Sequence, residues 1–149
     1  MLQYKYRFEK ILTIREQEKQ QSEMAYKESV QAFEQVATKL YELLKKKEDL
    51  LNDQAEKLKT GSTIHEIHHF ASFIDSLEKS INDVQQKVMQ ARTKMNWHEQ
   101  KLVEKSLEVR KFEKMREKDF ESFKEEQDKV EMLMLDELSS IMYSKREVR

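Results

Sequence analysis

The sequence predicts an all-α fold: a long two-helix antiparallel coiled-coil hairpin with an overhanging C-terminal helix end. Three observations point there. Among 149 residues there is one Gly and no Pro, where average usage would supply about 10 and about 7, so a fold with many tight corners is excluded. Apolar residues recur at alternating spacings of three and four along most of the chain, the period of a helix buried along one seam. The lone glycine falls between two such stripes. A hydrophobic fraction of 38% and a mean hydropathy of −0.92 suit a thin seam better than a thick core. One domain over residues 1–149 is expected, with helix one at about 4–59, a turn at 60–63 and helix two at about 64–145.

The elements follow in order. Leu2, Tyr4, Tyr6 and Phe8 alternate at period two, which fits either an extended arm or a frayed aromatic start to helix one. Phe8 and Leu12 then open the helical stripe, and a polar interval occupies Arg15–Glu23. The stripe resumes through Tyr26, Val30, Phe33, Ala37, Leu40, Leu44, Lys47, Leu51 and Leu58. Gly61 suits the C′ position that ends a helix, because it reaches positive φ without a Cβ clash. Thr63 and Glu66 form a capping box that starts the next helix, with the carboxylate expected to reach back to the Thr63 N–H. So short a turn between two stripes makes the helices antiparallel neighbours.

Helix two carries the longer seam, from Ile67 through Leu77, Ile81, Val84, Met95, Leu102, Val109 and Phe112 to Phe123, Val130 and Leu133, without a slip. His98, Lys105, Arg116 and Asp119 sit on it. Polar seam residues either fix register at a cost in stability or mark a hinge. Folding the hairpin at residue 62 brings Leu58 near Ile67, Leu40 near Val84 and Leu12 near Phe112. Residues from about 121 to 149 then overhang. Opposite charges three apart, such as Lys105/Glu108 and Glu113/Arg116, stiffen the approach by about 0.2–0.5 kcal/mol each.

Two sets of apolar residues exceed what one seam can bury. Leu43, Leu50, Phe73 and Met89 lie on the flank. Met132, Met134, Leu135, Leu138, Ile141 and Met142 lie on the overhang. Exposed patches of this kind mark interaction sites, and unbranched Met adapts to irregular grooves. Self-association of the tail, or its return onto the hairpin, would satisfy the same residues.

Other function classes find little support. Without Cys there is no disulfide, thiol nucleophile or thiolate metal site. The longest apolar run, Met132–Leu135, is far short of the ~20 residues that span a bilayer. Leu2-Gln3-Tyr4-Lys5 offers no apolar start for a secretory signal, and none is expected. With 28 basic against 29 acidic residues, nothing pulls the chain toward nucleic acid. A single Gly cannot build a phosphate loop, and no cofactor is expected. His65-Glu66-Ile67-His68-His69 matches the zinc-protease pattern of two imidazoles four apart with an intervening Glu. It falls at a hairpin tip with Glu66 needed for the cap, so no catalytic metal is expected.

Three stretches resemble the FliJ family, a soluble component of the bacterial flagellar type III export apparatus. They are Tyr6-Arg7-Phe8-Glu9-Lys10-Ile11-Leu12-Thr13-Ile14-Arg15-Glu16, then His69-Phe70-Ala71-Ser72-Phe73-Ile74-Asp75-Ser76-Leu77-Glu78-Lys79, and Phe112–Lys118 with the later Leu135–Leu138. Their order and spacing cover essentially the whole chain. The resemblance implies a non-enzymatic, cytoplasmic protein akin to the stalk of rotary ATPases, peripheral to the inner membrane at the flagellar base through partners only. It implies the export ATPase FliI and the export-gate protein FlhA as partners, with links to export chaperones. Phe8, Leu12, Met134, Leu135 and Leu138 are then expected at the ATPase end. Phe73 and Leu77, with Leu43 and Leu50 on the matching face of helix one, are expected on the flank toward the gate. The rival expectation is a self-associating structural coiled coil, or a chaperone escort, without a stalk role.

Overall fold

The computed structural model describes residues 3–147 and contains two helices, α1 (Glu9–Thr60) and α2 (Ile64–Glu147). Leu2 of the alternating run and residues 148–149 of the expected overhang lie outside the described residues. Among those described there is no strand, and the two helices pack against each other as an all-α hairpin. Helix one starts at Glu9, five residues later than the periodicity suggested. Residues 3–6 form an arm without regular structure. The arm lies against α2 through its aromatics, Tyr4 on the rings of Phe120 and Phe123 and Tyr6 with its hydroxyl on the Phe112 carbonyl.

The turn is built as its residues dictate, with one substitution of partner. Gly61 has φ +105° and its N–H donates to the Lys57 carbonyl at 3.0 Å, closing the last turn of α1. The Thr63 hydroxyl accepts the Glu66 N–H at 3.2 Å, and the Thr63 carbonyl accepts the first helical bond from Ile67 at 3.1 Å. The Glu66 carboxylate, expected on the Thr63 N–H, instead accepts the Ser62 hydroxyl at 3.0 Å.

Packing divides the chain into two units, Gln20–Val103 and Met1–Lys19 with Glu104–Arg149. In the first, Leu77, Ile81 and Val84 of α2 are buried. Ser29 of α1 is buried too, and its hydroxyl donates to the Tyr26 carbonyl at 2.6 Å. Lys47 reaches across to Glu78 at 3.2 Å. The inward stripe of α1 differs from the expected one over its last turns. Leu44 and Leu51 are 43% and 45% exposed, whereas Leu43 and Leu50 are the half-buried pair. Leu43 and Leu50 keep the alternation of three and four with half-buried Leu40, Lys47 and Gln54, so they carry the inward heptad face, and Leu44 and Leu51 stand one position outside it.

The second unit has its core at Tyr6, Leu12 and Val109, with Tyr4, Phe8 and Phe112 packed around it. Polar seam residues bond across it. Lys105 meets Glu18 at 3.2 Å, and Glu18 also takes Arg15 at 3.1 Å, so the polar interval of α1 faces the polar position of α2. Arg116 lies 3.6 Å from Glu9, and Asp119 accepts the Tyr4 hydroxyl at 2.9 Å. These three polar seam positions thus have partners on α1 or its preceding arm, which is what fixing a register requires. Among the described residues beyond Phe123, only Gln127 is even half-buried. Val130 and Leu133 continue the stripe as exposed side chains.

Candidate partner-binding surfaces

The first surface is the open end. Of the five residues expected there, Leu12 is 1% exposed and forms the core, while Phe8 packs on it. Met134, Leu135 and Leu138 are exposed on the solvated stretch of α2. The structure therefore joins Phe8 to Leu12 and leaves the other three in a separate patch. That patch is broader than the sequence reading proposed, since Val130, Leu133 and Tyr143 are exposed with it. Tyr143 carried a signal that went unused: it extends the same apolar surface one position past Met142.

The arm sits at the base of this patch. The Tyr4 ring stacks edge-on against Phe120 at 5.1 Å and tilts against Phe123 at 5.3 Å. Its hydroxyl lies within bonding distance of both Asp119 (2.9 Å) and the Arg116 carbonyl (3.3 Å). Burial and the Asp119 carboxylate push the Tyr4 pKa up to about 12. Tyr6 donates to the Phe112 carbonyl at 3.2 Å. On the adjoining face, the hydrogen bond from Lys105, helped by Arg15, holds the Glu18 carboxyl below its ordinary range.

The second surface is the flank near the turn. Leu77 is 7% exposed and belongs to the seam, and Leu43 and Leu50 are half-buried. Phe73 is 43% exposed, with the Lys46 ammonium 5.5 Å from its ring centroid. Leu50, Phe70 and Phe73 line one surface depression together with the polar Gln54, Lys57, His65, Glu66 and His69. Among the described residues no group of three or more His, Cys, Asp or Glu is placed to hold a metal ion. Another exposed feature escaped the sequence reading: Trp97, edge-on to His98 at 4.9 Å and beneath the Lys101 ammonium at 5.5 Å. A lone Trp off the seam was the signal available for it.

Comparison with known proteins places the chain in a family. A solved structure from Chlamydia trachomatis described as a YscO homolog superposes with a TM-score of 0.68 and covers 99% of both chains. At 19% identity this likeness shows the fold alone. A flagellar FliJ protein from Bacillus subtilis (strain 168) is 43% identical over 136 residues, covering 91% of this chain and 92% of that one. The family model described as flagellar FliJ protein matches residues 4–148. On both counts, this chain is a member of the flagellar FliJ protein family.

Proposed function

We propose that this protein is a non-enzymatic component of the flagellar export apparatus that engages the export ATPase ring in a stalk-like manner and couples it to the export gate. The observation that carries the reading is the apolar stretch Val130–Tyr143, helical and solvated beyond the last contact of the arm. Such a stretch suits a greasy, changing surface, because Met and Leu repack at little cost. A helix end of this kind biases the subunits of a ring by contacting each state differently, with no chemistry of its own. Phe73, exposed on the flank, is the side chain offered to the gate. No described helix is long and apolar enough to cross a membrane, so attachment to the flagellar base runs through FliI and FlhA on this reading.

The test is the hydrolysis rate of the cognate flagellar ATPase against added protein. Met134→Ser/Leu138→Ser and Phe73→Ala variants run beside it, with circular dichroism to confirm helicity. Saturable stimulation, lost in the tail variant and kept in Phe73→Ala, supports the stalk role. Absence of stimulation by the unaltered chain sinks it and leaves an escort of export chaperones.

A further inference from the structure

The solvated end of α2 carries its charges asymmetrically. Glu125, Glu126, Asp128 and Glu131, with Lys124 and Lys129 among them, stand at its start, and Lys145 and Arg146, followed by Glu147, stand at its end. Glu131, Leu135, Leu138, Met142 and Lys145 are spaced four, three, four and three apart, so they share one helical face. That face has an acid at one end, three exposed apolar side chains in the middle and a base at the other end. It is complementary to itself in one orientation only. Laid antiparallel with Leu138 opposite Leu138, Glu131 of each copy comes level with Lys145 of the other. Lys129 comes level with Glu147, and Leu135 with Ile141. Laid parallel, acid meets acid and base meets base, which is unfavourable.

We propose that a second copy of this chain covers the apolar end of α2, as an antiparallel, two-fold symmetric dimer centred near Leu138. The stripe is about two heptads long, so the dimer is weak and concentration-dependent. It masks the greasy end when nothing else does. This inference does not depend on the ATPase reading, and its test uses no ATPase.

The experiment is sedimentation velocity on the full chain from about 1 µM to about 1 mM, with helicity followed by circular dichroism. The unaltered chain is expected to pass from monomer to dimer across that range. Glu131→Lys alone and Lys145→Glu alone should each weaken the dimer by about three- to tenfold, since each turns two attractive pairs repulsive. The double exchange Glu131→Lys/Lys145→Glu should restore it, because the pairs reform with signs swapped. A chain that stays monomeric throughout overturns the proposal. So does a dimer that is indifferent to the single exchanges, because that is the behaviour of a parallel or unrelated interface.

Discussion

The Lys105 ammonium sits 3.2 Å from the Glu18 carboxylate, so a charged residue on the seam of α2 is answered by one on α1. Arg15 bonds the same carboxylate at 3.1 Å. The Glu18 pKa is lowered in the folded state, chiefly by Lys105. A depressed carboxylate contributes stability that is present above its unfolded pKa and is lost as pH falls through the folded one. Thermal melts taken from pH 7 down through the carboxylate range should therefore show a steeper decline for the unaltered chain than for Glu18→Gln. Equal slopes would mean that the contact carries no linkage.

Tyr4 works in the opposite sense. Its pKa is raised to about 12, so the folded state favours the neutral phenol. That contribution is present below pH 10 and disappears as pH rises through 12. An absorbance titration of tyrosinate should show late titration by Tyr4, and Tyr4→Phe should remove that component. Protease nicking within residues 3–8 should quicken over the same rise in pH as the arm undocks.

The turn makes a local prediction. A Cβ at Gly61 would meet nothing within 4 Å, so Gly61→Ala is opposed only by backbone strain at φ +105°. The expected loss is about 1–2 kcal/mol in urea denaturation. Thr63→Ala, which removes the cap on Glu66 N–H, should cost about 1 kcal/mol. A neutral Gly61→Ala would show that the turn relaxes to a conformation open to any residue.

Buried and exposed leucines separate folding from binding. Leu12→Ala and Leu77→Ala should each lose about 2–5 kcal/mol, as deletions from packed sites do. Phe73→Ala and Leu138→Ala, at exposed positions, should lose far less, with Leu138→Ala within about 0.5 kcal/mol. A Leu77 variant that loses a partner must therefore be compared with its own melting curve, whereas a Phe73 variant reports the contact directly.

What was legible in the sequence was what local physics controls. The seam of α2 from Phe70 to Phe123 is less exposed than its flanks at nearly every expected position, because a helix repeats its faces whatever lies opposite. Gly61 and Thr63 end and begin helices through their own φ preference and hydroxyl. The overhang was visible by counting, since one stripe is shorter than the other. Tertiary packing decided the rest. Whether Leu43 or Leu44 turns inward depends on where α2 lies, because both fit a stripe through Leu40 and Lys47 and only the partner helix picks the side. Leu12 and Phe8 looked like an open end by their place in the chain, but the arm folds Tyr6 and Phe8 over Leu12 and makes that place a core. Periodicity is a property of one helix and can be read along one strand of text. Burial is a property of two surfaces meeting, and it exists only once the chain has brought Tyr4 to Phe120 and Glu18 to Lys105.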